Sequence, residues 1–266
     1  MSSREEVEVS VSLLGKHLSK YKLVSRACRL LEREPEYNAL VEMSNIMAVK
    51  RLKYNDHGPV HARIVAGASL EIFDRIVARG VKPTTIVDKT ASNLEEAALV
   101  VFLGAMLHDV GNSIHRFNHE LTGALLAKDL LDRVLRKLFP RNTRKRVLLR
   151  QEIMHAIHST SYEVDSLTIE AGCVKVGDGT DMSKGRARIP YKMGKSDIHA
   201  VSALSIEKVT ISSSDDKPVI INVYMSERAG VFQLEKVLFP KILSSGLKDY
   251  IGVKALCNGR ELKLEY

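Results

Sequence analysis

Residues 105–120, AMLHDVGNSIHRFNHE, hold three histidines and an aspartate. Two of them, His108 and Asp109, are adjacent at the end of an apolar run, beside Gly111. An imidazole next to a carboxylate is either an ordinary helix end or half of a metal site. Seven of the nine histidines (His57, His61, His108, His115, His119, His155 and His158) fall between positions 57 and 158. Nitrogen and oxygen donors of this kind suit Mn, Fe, Mg, Ni or Zn and do not suit a soft thiolate site. An aspartate in the last turn of a helix opposes the helix dipole, and a bound cation offsets that charge.

Distant residues meet at one ion only if the elements carrying them pack together. Residues 5–52 show apolar positions recurring at three- and four-residue steps, which predicts helix. Pro59 suits a first helical turn and Gly80 the position past a helix end, so His61 lies near the start of a helix between them. Asn93 can cap the next helix, with Glu96 in capping-box register and Gly111 as its stop. Neighbours on a helix diverge by about 100°, so His108 and Asp109 reach one ion most easily where the helix opens out. Further helices are predicted over roughly 119–138, 143–159 and 165–178. Helices in a bundle can project such residues into one pocket.

The pattern changes after the basic loop GTDMSKGRARIPYKMGKSD. SIEKVTISSS and PVIINVYMS are β-rich, AGVFQLEKVLFPKILSSG is helical with Pro240 as a break, and IGVKALCNGRELKLEY reads as a hairpin about Asn258-Gly259. The expected fold is mainly α: a helical bundle over residues 1–198, then a small α+β domain, ββαββ-like, over 199–266. Exposed strand edges in so small a sheet predict a homodimer or higher oligomer.

VHARIVAG, then LHDVGN, then KVGDGTD resembles the HD-domain metal-dependent phosphohydrolase superfamily: a histidine, a later His-Asp pair and a distant aspartate. The resemblance covers residues 50–185 or so. It implies that His61, His108, Asp109 and Asp178 hold a divalent metal ion. NHELTGALL and EIMHAIHS resemble the helices that carry extra histidines in the multi-metal branch, with His119 and either His155 or His158 as ligands. Two ions bridged by Asp109 are therefore expected; otherwise His119 and one of the pair bond substrate phosphate. His57 precedes its helix, behind Gly58-Pro59, so His61 is preferred to it. The GYP signature of the cyclic-di-GMP branch is absent, as is the acidic pair that follows the doublet in single-metal nucleotide hydrolases.

The implied chemistry is hydrolysis of a phosphoester by a water whose pKa the metal lowers, with Asp109 and His119 as catalytic groups. Arg186 and Arg188, within reach of Asp178 in sequence, are expected to bind substrate phosphate. The net charge of +8 favours anionic partners. A phosphorylated small molecule, a nucleotide first, is the expected substrate. Eight Lys or Arg in residues 133–150 keep nucleic acid open as an alternative, and a non-catalytic metal-binding regulator is a third. Neither GxSxG nor a P-loop is present, which argues against a serine nucleophile and an ATP-driven motor. Three dispersed cysteines, no apolar leader and no long apolar run predict a cytoplasmic protein without membrane attachment.

Overall fold

The computed structural model describes residues 5–183 and 198–264. Its helices start and stop where the sequence supplies the means. In chain order they are α1 (Leu13–Lys20), α2 (Lys22–Glu32) and α3 (Pro35–Asn45), which runs into a π turn at Ile46–Arg51. Then come α4 (Pro59–Ala78), the short α5 (Thr84–Val87) and α6 (Leu94–Leu107), which leads through a 3-10 turn at Val110–Ser113 to α7 (His119–Leu138). α8 (Thr143–His158), α9 (Ile169–Thr180) and α10 (Ile198–Leu204) complete the helical part. The Asn93 side chain accepts the Glu96 N–H, while Glu96 Oε2 accepts the N–H of Ser92 at 2.7 Å. This is a capping box displaced by one residue. Asn142 and Thr168 cap α8 and α9 in the same manner.

α6 is buried from Glu96 to Leu107 on every side. A helix apolar all round belongs at the centre of a bundle, and α2, α4, α8 and α9 pack around it. Among the described residues, no helix is long and apolar enough to cross a membrane.

The sheet has the order β1-β2-β3-β4-β5, formed by Val7–Glu8, Ile206–Ser212, Val219–Met225, Ile251–Cys257 and Arg260–Leu262. β2 and β3 are antiparallel neighbours, β3 and β4 are parallel, and β4 and β5 form a hairpin. The hairpin turns on Asn258 and Gly259, at φ of 49° and 77°. Positive φ at both central residues is the mirror-image turn that matches strand twist. A parallel pair needs a crossover, and the helical segment 231–243 between β3 and β4 supplies it. The expected ββαββ order is therefore present, with one addition. Residues 5–12 depart from the helical expectation: β1 pairs antiparallel with β2, Val7 opposite Ile211. Val7 and Val9 alternate with charged or polar residues, a period of two too short to stand out beside α1. Buried residues of the bundle and the sheet form one hydrophobic cluster.

An ionic network ties α1 to α4. His17 is wholly buried, with Nδ1 3.2 Å from Asp74 and Nε2 3.3 Å from Glu71. Lys16 and Arg75 reach Glu71, each at 2.7 Å, and the Tyr21 hydroxyl donates to Asp74. Burial works against charge on Glu71, but the His17 and Lys16 hydrogen bonds and Arg75 outweigh it and hold the carboxyl at about 2. The same opposition ends with Asp74 lowered and His17 raised. Carboxylates with depressed folded values stabilise the fold above their ordinary values, and that contribution goes as pH falls towards 2. An imidazole with a raised value stabilises below its ordinary 6.5 and loses this as pH rises through its folded value. Thermal stability is therefore expected to be highest between about pH 4.5 and 6.5, and His17→Ala should flatten the alkaline side. Melting curves across pH 3–9 with an unchanged alkaline limb in that variant would reject this role for His17.

Candidate metal centre

Three helix ends meet at one point. His61 sits in the first turn of α4, opened by Pro59. His108 is the C-cap of α6, and Asp109 follows at φ −101°, ψ 0°, where the helix gives way to the 3-10 turn. Asp178 lies in the last turn of α9. The unwinding after Leu107 lets the adjacent His108 and Asp109 face the same spot.

His61 Nε2 is 3.2 Å from His108 Nε2 and 3.3 Å from both Asp109 Oδ2 and Asp178 Oδ1. His108 Nε2 is 3.3 Å from Asp109 Oδ2 and 3.5 Å from Asp178 Oδ1. Metal bonds of about 2.0–2.2 Å, spread at 90–110°, set neighbouring donors roughly 3.0–3.5 Å apart. The other ring nitrogens are committed. His61 Nδ1 bonds Asp181 Oδ2 at 2.7 Å, and His108 Nδ1 bonds the Ala105 carbonyl at 2.7 Å. Both partners are acceptors, so each Nδ1 carries a proton, and each Nε2 offers a lone pair inward once its own proton is gone. Burial alone lowers the proton affinity of His108, yet Asp109 and Asp178 override it and raise the value to about 10. Burial disfavours charge on the two carboxyls as well, but His108 beside Asp109 and Lys241 with His108 beside Asp178 hold both well below the usual range. The two carboxylates thus call for positive charge at this spot. A proton on one ring answers with one donor; a divalent cation would be held by several of these donors at once. His61, His108 and Asp178 could hold a metal ion, and so could His57, His61 and Asp109; in each group the donor atoms all lie within 4.8 Å of one another.

The remaining expected residues are placed as follows. His119, at the start of α7, has Nε2 3.4 Å from Asp109 Oδ1 and 2.9 Å from Arg116 Nη1. His155 and His158 join neither group of converging donors. His155 Nε2 accepts the Leu167 N–H at 3.0 Å, and His158 Nδ1 is buried without a partner. Arg186 and Arg188 lie outside the described residues.

Four residues at the site were not assigned to it from the sequence. His57 Nδ1 is 2.6 Å from Asp109 Oδ2, because the segment before α4 folds back and the Asn45 side chain holds the His57 N–H. Asp181 buttresses His61, and its signal was its place in KVGDGTD. Arg116 Nη1 stands 3.8 Å from Asp109 Oδ1. Lys241, from the crossover of the sheet, donates to Asp178 Oδ2 at 2.7 Å and to the Thr160 carbonyl at 2.8 Å. No local pattern marks a lysine so far along the chain as a neighbour of Asp178.

Among curated proteins, uncharacterized protein MJ1020 of Methanocaldococcus jannaschii is 45% identical to this chain over 225 residues, covering 85% of this chain and 86% of that one. The chain belongs to the MJ1020 family. A match of 225 residues is longer than residues 1–198, so the likeness to MJ1020 extends into the C-terminal sheet. No family model matches the chain, and no solved structure matches it.

Proposed function

We propose that this protein is an HD-type metal-dependent phosphohydrolase that cleaves a nucleotide or related phosphoester with water. The observation that carries this reading is the convergence of two imidazole lone pairs and two carboxylate oxygens at metal-ligand spacing, with both Nδ1 atoms engaged elsewhere. A divalent ion bound there supplies Lewis acidity and brings the pKa of a water down towards about 7.

The chain supplies the rest. Arg116 is about a third exposed, and its planar fork suits bidentate contact with phosphoryl oxygens. His57 and Asp109 share a hydrogen bond at the rim of the centre, which holds a proton within reach of a leaving oxygen. Lys241 occupies Asp178 Oδ2, leaving Oδ1 as the single donor of that carboxylate. One ion fits this arrangement better than two. The Arg116 guanidinium stands beside Asp109 Oδ1 and His119, where its charge would oppose a second cation, and His155 and His158 join neither group of donors.

The basic run at 133–150 gives less support to a nucleic-acid substrate. Arg133 pairs with Glu34 and Glu36, Lys137 with Glu34, Lys145 with Glu96 and Arg150 with Asp132. Cations already paired within the fold have less to offer a phosphate backbone.

Protein purified without chelator is expected to carry roughly one Mn, Fe, Ni or Zn per chain. It is expected to hydrolyse members of a nucleotide and phosphoester panel, with p-nitrophenyl phosphate favoured over the bis ester. Protein free of metal and inert with every added ion would reject the proposal. Stoichiometric metal without hydrolysis would favour the regulatory alternative.

A further inference from the structure

A cavity of about 690 Å³ lies along α3, the π turn that follows it and the start of α4. Tyr37, Val41, Ile46, Val49 and Pro59 make most of its lining apolar, and Glu42, Asn45 and Lys50 are among its polar groups. Small-molecule sites occupy about 300–1,000 Å³ and are mostly apolar with a few polar groups. Three features tie this cavity to the centre. Asn45 accepts the N–H of His57, whose ring is on Asp109. Pro59 opens α4 two residues before His61. Ser44, next to Asn45, has its hydroxyl 3.1 and 3.3 Å from the carbonyls of Asp109 and Val110 and 2.8 Å from that of Leu40, and shares its one proton among them. One turn of α3 therefore both lines the cavity and fixes the loop that carries the candidate ligand Asp109. The wall continues into the π turn Ile46–Arg51, a widened backbone that is frequent at functional sites.

Resting on the phosphohydrolase reading, we propose that this cavity receives the uncharged ring of the ester whose phosphoryl group lies at the His–Asp centre. The preferred substrates are then aryl or nucleoside phosphates, and small alkyl phosphates are poor ones. A largely apolar cavity whose Asn45 holds the backbone of His57 matches a molecule with one flat apolar end and one phosphate end.

The test compares 1-naphthyl phosphate with methyl phosphate on the Mn-loaded full chain, by equilibrium dialysis and by KM where turnover occurs. Wild type is expected to bind the naphthyl ester roughly 10- to 100-fold more tightly. Val49→Trp and Ile46→Trp, which fill the cavity from two positions, are expected to remove that preference and to leave methyl phosphate binding and metal content unchanged. Circular dichroism checks that both variants fold; if one does not, wild type and the other decide. Equal binding of the two esters in wild type, binding of neither, or a preference that survives both tryptophans would overturn the proposal. So would a dimer in wild type that either variant dissociates, because the cavity would then be an interface between copies. A naphthyl preference lost in the variants, with no hydrolysis under any metal, would keep the binding site and reject the hydrolase reading instead.

Discussion

Asp109→Ala is expected to lower metal affinity by well over 100-fold and to abolish hydrolysis. The reason is the number of contacts this carboxylate makes. Oδ2 faces the Nε2 atoms of His61 and His108 and bonds His57, while Oδ1 accepts from Asn112 at 2.9 Å and faces His119 and Arg116. Loss of a residue that only orients a ligand costs about 10- to 100-fold in affinity, and loss of a ligand costs more. Asp181→Ala provides the internal comparison. It leaves all four donors in place and removes the acceptor of the His61 Nδ1 proton, so its loss of affinity should stay within the 10- to 100-fold range. Calorimetric titration with Mn and metal analysis of the purified variants check both. An Asp109→Ala protein that keeps wild-type metal content, or the reverse order of effects, would contradict the assignment.

Gly111→Ala is expected to be among the most destabilising single-methyl additions in the chain. A Cβ at this position would lie 1.9 Å from the His119 carbonyl oxygen and 2.5 Å from the Gly123 nitrogen. Both obstacles are backbone, so α7 would have to move as a body rather than one side chain turning aside. Overpacking usually costs about 1–3 kcal/mol, and this contact falls at or above the top of that range. For a chain of this size the melting temperature should drop on the order of 10 °C. The displacement also carries His119 and Arg116 away from Asp109, so activity should fall further than stability alone explains. A melting temperature within about 2 °C of wild type would show that the 3-10 turn and α7 are less closely seated than described.

The residues legible from the sequence were those with a local signature. α7 and α8 run over His119–Leu138 and Thr143–His158, within a residue of expectation, because apolar periodicity marks them. The Asn258-Gly259 hairpin was legible because few dipeptides accept positive φ twice in succession. His61, His108, Asp109 and Asp178 were found through their order along the chain, and the structure brings them together. His57 was set aside because Gly58-Pro59 puts it outside the helix; the loop's return onto Asp109 is a tertiary fact. Arg116 and Lys241 carry no local pattern. Arg186 and Arg188, expected from their closeness in sequence to Asp178, lie outside the described residues. β1 was missed because two paired residues seldom outweigh the helical period that follows them.

The grip on Asp178 from opposite sides, by imidazoles of the bundle and by the ammonium of Lys241, has a consequence for hybrid proteins. The carboxy-terminal layer acts as a jig, setting where one donor stands relative to the others. A misplacement of 1 Å in a reacting constellation can cost about 100-fold in rate. A chimaera that joins residues 1–198 of this chain to the corresponding C-terminal part of MJ1020 should therefore fold more readily than it works, until the interface around Lys241 is made to come from one parent.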